Sequence, residues 1–256
     1  MKIIFPELET DKIARTAADY FQDIDWISTS TLEEAAELMQ TGAADSMVSG
    51  LDYSSRDVLV AYKDHLTLSS PFFSSCFVCE RTEQDGSLSH LVLADGGVNK
   101  QPSLEQFITI IEDSAATFET YYEEQPRIAI LSYSTYGSGG KNPDLDRFHQ
   151  AIKVIKDKHP SWIIDGEMQL DAAVNPQVAA KKTPGSPLEG RANVLIVPDL
   201  NSGNILYKSL EQFGGFTVAG PIIQGFTQPL ADLSRGSTVE DTILTIKVIK
   251  KLCERK

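Results

Sequence analysis

Apolar and polar positions along this chain switch repeatedly between two periods. Short runs rich in β-branched residues fit strands, and the longer stretches between them, apolar every third or fourth position, fit one face of a helix. On that basis residues 2–5 read as a strand, 11–21 and 32–39 as helices, 46–49 as a strand and 56–65 as a helix. Residues 73–80 and 90–93 are strand-like, and the polar segment between them, 82–87, contains Asp85-Gly86, which predicts a β-hairpin. Ser103-Leu104-Glu105-Gln106 has the form of a capping box, and Phe107, Ile110, Ile111, Phe118 and Tyr122 support a long helix behind it, ending near Pro126. Residues 127–131 follow as a strand, 144–158 as a helix, 162–164 and 193–197 as strands, and 203–213 as a helix.

Alternation of this kind predicts an α/β fold with wound sheets and helices on both faces, and the hairpin makes the sheet mixed. Such sheets place ligands at loops beyond the carboxyl ends of their strands. A length of 256 residues allows one large domain or two smaller ones. Hydrophobic residues at 41% and charged residues at 23% put the chain among ordinary globular proteins rather than disordered or fibrous ones.

The formal net charge of −13 argues against a nucleic-acid or anionic-membrane partner. A phosphate-bearing ligand would need the few cations gathered in one cleft, with the excess carboxylates elsewhere. The apolar stretch before Pro6 is too short for a signal peptide or a membrane span, so a cytoplasmic location is expected. Three cysteines make no disulfide framework. Cys76 and Cys79 have metal-like spacing but no second pair, and on a strand they point to opposite faces; both read as core cysteines, and no metal is expected.

Four segments carry candidate chemistry. Ser132-Tyr133-Ser134-Thr135-Tyr136-Gly137-Ser138-Gly139-Gly140-Lys141 follows a strand and could line a phosphate-binding concavity with hydroxyls and backbone amides, or be a flexible loop. It lacks the spacing of a nucleotide P-loop. Asp165, Glu167 and Asp171 lie just beyond the strand at 162–164, where paired acids could exchange protons, or where Asp165-Gly166 is a turn before a capped helix. Asp199-Leu200-Asn201-Ser202-Gly203-Asn204 is a polar turn into a helix whose free amides suit an anion, although Asn201 or Ser202 would cap them equally well. His65, His90, His149 and His159 lie outside these segments and carry no catalytic context.

The fourth segment is the sharpest. Gly220-Pro221-Ile222-Ile223-Gln224-Gly225-Phe226-Thr227-Gln228-Pro229 reads as a loop, and Asp232-Leu233-Ser234-Arg235-Gly236-Ser237-Thr238-Val239-Glu240-Asp241 carries it into a helix. Thr238 to Asp241 is also a capping box, in which Asp241 would serve a backbone donor.

Together these segments resemble the phosphate acetyl/butyryl transferase family, over nearly all of 127–241 and most specifically over 193–208 and 220–241. The opening Lys2-Ile3-Ile4-Phe5-Pro6-Glu7 is similar to the start of that family as well. The resemblance implies two α/β domains around a cleft, related to the isocitrate/isopropylmalate dehydrogenase fold, with the first domain at 1–96 plus 230–256 and the second at 97–229. It implies a homodimer, and reversible transfer of an acetyl group between acetyl phosphate and coenzyme A, with inorganic phosphate as the other product and no permanently bound cofactor. Asp241 would take the thiol proton, Arg235 would stabilise developing charge and Ser234 would supply a hydrogen bond. Ser134, Thr135, Asn204, Gln224 and Arg56 would contact substrate. The alternatives are butyryl transfer, and a member that binds coenzyme A or acyl phosphate without turnover. Compared with the family, the region before Val48-Ser49-Gly50 is abbreviated, and Val58-Leu59-Val60-Ala61 stands where an arginine is usual, with Arg56 about one turn earlier.

Overall fold

The computed structural model describes residues 1–254. The chain begins with β1 (Lys2–Ile4) and a short 3-10 turn at Pro6–Glu9, then α1 (Lys12–Ala18), β2 (Asp25–Ile27), α2 (Leu32–Gln40), β3 (Ser46–Ser49) and α3 (Ser55–His65). The three helices start where side chains can accept from their free N–H groups: Asp11 from Ile13 and Ala14, Thr31 from Glu34, and Ser54 from Asp57. Next come β4 (Ser74–Thr82) and β5 (Leu88–Ala94), α4 (Leu104–Tyr122), β6 (Arg127–Leu131), α5 (Pro143–Lys158) and β7 (Ile163–Met168). Two short helices, α6 (Leu170–Val174) and α7 (Pro176–Lys182), precede β8 (Val194–Ile196) and α8 (Leu200–Gln212), and the chain finishes with β9 (Thr217–Gln224), β10 (Leu230–Asp232) and α9 (Val239–Glu254).

Two compact units result. One comprises Met1–Phe73 together with the chain from Phe216 onward; the other is Ser74–Gly215. The sequence reading drew its crossings at 96/97 and 229/230. The chain crosses between the units at 73/74 and 215/216, which keeps β4 with β5, its antiparallel partner over residues 76–82, and β9 with β10.

In the first unit the strands run β2-β1-β3-β10-β9, parallel except for the last pair. All four residues of β3 and all three of β10 are buried, as strands covered on both faces should be. Helix α9 packs against β9 and α1, burying Ile246, Val248 and Ile249. In the second unit the order is β4-β5-β8-β6-β7, with β4 and β5 antiparallel and the rest parallel. The hairpin turn contains Gly86 at φ 84, the positive-φ position that Asp-Gly foreshadowed. Ser103 and Gln106 form the capping box reciprocally. Helix α4 packs on α5 through stacked Phe107 and Phe148 rings, centroids 5.2 Å apart. Cys76 and Cys79 are both fully buried, and burial pushes the Cys76 thiol far up.

Three local expectations are corrected. The Gly-Pro run at 220–229 is not one loop: residues up to Gln224 belong to β9, and Ile222 and Ile223 pair with Ala231 and Leu230. Glycine and proline disguise a buried strand there, and the Gly220 N–H is satisfied by Thr245 Oγ1 on α9 at 2.9 Å. Nor is Asp165-Gly166 a turn, since β7 continues to Met168. Gly166 is needed for close approach instead: a Cβ there would lie 2.8 Å from the Ile130 carbonyl oxygen. Finally, α8 begins earlier than expected, capped by Asp199, which accepts from Ser202 N at 2.8 Å. Strand β2 and the short helices α6 and α7 carry too few periodic positions to have been read.

Gly50 ties the first unit together after β3. It sits at φ 115, and a Cβ would meet Leu233 O at 2.5 Å and Asp232 Oδ1 at 2.6 Å. Gly50→Ala should therefore lower stability by about 2–4 kcal/mol through strain and displacement of the 232–233 backbone. Thermal unfolding of the variant with an unshifted midpoint would contradict this packing.

Candidate active site

The carboxyl ends of the strands are where the fold gathers its polar side chains. In the first unit β10 leads into a turn in which Ser237 N donates to Ser234 O at 2.8 Å and Gly236 N donates to Ser234 Oγ at 3.2 Å. The Ser234 oxygen is thereby held, while its hydroxyl hydrogen donates to no group among the described residues. Arg235 follows, exposed and with no hydrogen bond or ion pair among the described residues. The turn closes at the start of α9 with a reciprocal cap: Asp241 N donates to Thr238 Oγ1 at 3.1 Å, and Asp241 Oδ2 accepts from Thr238 N at 2.9 Å and from Thr238 Oγ1 at 2.6 Å. Asp241 Oδ1 accepts from Val218 N of β9 at 2.9 Å. Asp241 is 4% exposed, so this carboxylate ties helix, turn and strand together.

Ser234, Arg235 and Asp241 are thus brought into one turn. Gln224 is buried at the carboxyl end of β9, and Arg56 is exposed on the first turn of α3.

Behind this turn lie two buried acids. Glu7, 2% exposed, accepts from Gly50 N at 2.7 Å, and Asp232, 1% exposed, ends β10; Glu7 Oε2 and Asp232 Oδ1 have no hydrogen-bond partner among the described residues. Burial pushes Asp232 up to about 6, with a Ser55 hydrogen bond only partly offsetting it and the Glu7 charge adding to it. Burial likewise raises Glu7.

In the second unit the loop after β6 is folded around a carboxylate of the chain itself. Glu167, fully buried on β7, accepts through Oε1 from Ser134 Oγ and from Gly137 N, both at 2.7 Å, and its Oε2 lies 2.6 Å from His149 Nε2 on α5. Burial opposes ionisation of Glu167, but the Gly137 N–H, the Ser134 hydroxyl and the His149 ring outweigh it and hold the carboxyl below the usual range. Every backbone N–H from Ser134 to Gly140 has an internal acceptor: Ser132 Oγ, Ser138 Oγ, Glu167 O, Glu167 Oε1, Thr135 O, Ser134 Oγ and Gly137 O in turn. The loop is neither a flexible connector nor an open nest of amides. Ser134 is completely buried, with its hydroxyl donating to Glu167, so it cannot touch substrate as the sequence reading expected. Thr135 is half-buried, its Oγ1 accepting from Gln169 N at 3.0 Å. Asn204, exposed on α8, donates from Nδ2 to Gly96 O at 3.5 Å, in a different loop.

His149 had no visible context in the sequence. Spacing gave no signal for it: Leu145 and Ile152, four residues before and three after, are buried, but the His149 side chain is itself 52% exposed, and only the Glu167 contact marks it out. Asp165 is likewise committed, accepting from Tyr136 Oη and from Ser186 Oγ. Among the described residues no cluster of three or more His, Cys, Asp or Glu side chains could hold a metal, and no helix is long and apolar enough to cross a membrane.

The sequence profile described as phosphate acetyl/butaryl transferase matches residues 21–249. The chain belongs to this family. It is 38% identical over 222 residues to the phosphate acetyltransferase of Treponema pallidum, an alignment covering 85% of this chain and 66% of that protein. With the phosphate acetyltransferase of Thermoanaerobacterium thermosaccharolyticum it shares 36% identity over 94% of this chain and 77% of the relative. Among solved structures, a phosphotransacetylase from Streptococcus pyogenes superposes with a TM-score of 0.86 at 28% identity, over 100% of this chain and 94% of that one.

The buried acids give the first unit a pH signature. A carboxyl raised on folding stabilises the fold fully below its ordinary value, near about 3.9, and that contribution is lost as pH rises through the raised value. For Asp232, raised to about 6, the loss is on the order of 3 kcal/mol. Asp232→Asn should therefore match the parent near pH 4 and exceed its stability at pH 8; denaturant midpoints that differ by the same amount at both pH values would rule out this titration.

Proposed function

We propose that this chain catalyses reversible transfer of an acetyl group between acetyl phosphate and coenzyme A. The observation that carries the reading is the turn at 234–241 of this family member. It holds a cation, Arg235, and a hydroxyl hydrogen, on Ser234, neither with a partner among the described residues, together with a carboxylate whose orientation is fixed, Asp241. In the synthetic direction the coenzyme A thiol gives its proton to Asp241, the thiolate attacks the acetyl carbonyl carbon, the C–S bond forms, and the C–O bond to phosphate breaks. The Arg235 guanidinium and the Ser234 hydroxyl stabilise the negative charge that grows on carbonyl and phosphate oxygens. No covalent enzyme intermediate is required when both substrates are held together.

Coenzyme A is in this reading a substrate, and no permanently bound cofactor takes part. Thr135, Asn204, Gln224 and Arg56 are the side chains assigned to substrate contact, with Ser134 acting from beneath the loop. A cytoplasmic homodimer, divided near the crossings already described, is the accompanying expectation. One observation favours the competing reading of a binder without turnover: three of the four acceptor positions of Asp241 are filled, leaving one on Oδ1 for a proton.

Thioester formation from acetyl phosphate and coenzyme A, with butyryl phosphate alongside, tests the reading and ranks the acyl donors. Arg235→Ala should cost about 10²–10³ in turnover and, because no described residue binds the guanidinium, change stability by no more than about 0.5 kcal/mol. Asp241→Asn should also depress turnover, but it cannot leave the fold untouched: an amide nitrogen must confront either Val218 N–H or Thr238 N–H, at a cost of about 1–3 kcal/mol. A folded Arg235→Ala protein at the parental rate would sink the assignment.

A further inference from the structure

The loop at 132–140 distributes its hydroxyl hydrogens unevenly. Ser134 spends its own on Glu167. Ser132, Thr135 and Ser138, three residues apart, each accept a backbone N–H through the hydroxyl oxygen, from Ser134 N at 3.1 Å, Gln169 N at 3.0 Å and Thr135 N at 2.9 Å. Those oxygens are fixed in place, and their hydrogens donate to nothing among the described residues. All three side chains reach solvent, whereas Ser134 does not. A hydroxyl whose oxygen is held and whose hydrogen is free is a preorganised donor, and three on one short loop suit an acceptor with several oxygens.

What gives the loop this shape is the carboxylate beneath it. Glu167 takes the seat that a bound anion would occupy among the N–H and O–H groups of such a loop, accepting from Gly137 N and Ser134 Oγ while its backbone oxygen accepts from Tyr136 N at 3.1 Å. Ser134 Oγ in turn accepts from Gly139 N at 2.8 Å, so one carboxylate orders both ends of the turn. The loop needs that support: Tyr136, a non-glycine residue, is held at φ 47. His149 completes the arrangement. An ionised carboxylate only accepts, so Nε2 carries the hydrogen in the 2.6 Å contact with Glu167 Oε2, and the ring holds the carboxylate oxygen that the loop's donors leave open.

We propose that Glu167 is a positioning residue, steadied by His149, that folds the 132–140 loop so that Ser132, Thr135 and Ser138 donate to the oxygens of a phosphate-bearing ligand. The identity of that ligand as an acyl phosphate rests on the function proposed above; the anion site itself does not. Neither Glu167 nor Ser134 touches the ligand in this account, so their effect runs through binding rather than through the chemical step.

The experiment pairs calorimetric titration of inorganic phosphate into the full chain with acetyl phosphate kinetics. Glu167→Gln should weaken phosphate binding by about tenfold and raise KM for acetyl phosphate equally, with kcat at saturation kept within roughly twofold. His149→Leu should shift both constants in the same direction by a smaller factor, and His149→Gln, which still offers an N–H, should restore most of the loss. Thr135→Val combined with Ser138→Ala removes two of the three donors and should weaken phosphate binding; because it also takes the acceptors from Gln169 N and Thr135 N, the loop should become easier to proteolyse as well. Unchanged phosphate affinity in a folded Glu167→Gln protein, or a fall in kcat at constant KM, would overturn the proposal, as would a parent chain that binds no phosphate at millimolar concentration. If Glu167→Gln does not fold, the His149 pair decides by the same criteria. A parent that binds phosphate yet forms no thioester would defeat the acyltransfer reading alone, with the affinity series still judging the loop.

Discussion

A carboxylate buried without a cation must find hydrogen-bond donors, and in this chain it finds them in the backbone of the turns at the strand ends. Glu7 accepts from Gly50, Asp95 from Gly97, Val98 and Asn99, Glu167 from Gly137, and Asp241 from Val218 and Thr238. Burying an ion costs several kcal/mol, and a single charge-assisted bond returns only part of that. The arrangement stands because each acid takes two or more donors and those donors would otherwise be unsatisfied themselves. The turns therefore have one conformation each, dictated by an internal anion rather than by the strands they join.

The donor count also explains why similar acids behave in opposite ways. Glu7 and Glu167 are both buried glutamates at the carboxyl ends of strands. Glu167 has a hydroxyl, a backbone N–H and an imidazole at 2.6–2.7 Å, and its carboxyl is held below the ordinary range. Glu7 has one short backbone bond, a second at 3.5 Å and an oxygen with no partner, so burial wins and its carboxyl is raised. The excess of acids over bases that composition records is thus partly internal, and it does not contradict a phosphate-bearing substrate.

How far the sequence could be read follows from the same physics. Local signals with their own mechanism were legible: Asp85-Gly86 as a hairpin, Ser103 and Gln106 as a capping box, the alternation of strand and helix as a wound fold, and the cap at Thr238. What escaped were features whose cause lies in tertiary contact. Gly220 and Pro221 look like turn residues until Ile222 and Ile223 are seen to pair with β10 and Thr245 to satisfy Gly220. Gly166 looks like a turn until the nearness of Ile130 explains it. Of the candidate site, the turn carrying Ser234, Arg235 and Asp241 was visible through family likeness. That Ser134 is buried, and that His149 belongs with Glu167, required distances between residues 18 to 33 apart in the chain.

Commitment of donors and acceptors separates the side chains that support a site from those that can meet a substrate. Ser134, Glu167 and Asp95 have their polar atoms engaged inside the protein, whereas the Arg235 guanidinium and the hydroxyl hydrogens of Thr135 and Ser234 are not engaged among the described residues. Asp241 belongs to both classes. Its three internal bonds are what a structural cap requires, yet they also fix the carboxylate rigidly, and the remaining position on Oδ1 is where an incoming proton would bind. In the proposed reaction, a base restrained in this way loses no orientation entropy when a thiol arrives. On the proposed function, structural and chemical roles at Asp241 are therefore coupled, whereas Arg235 has no hydrogen bond or ion pair among the described residues to give up.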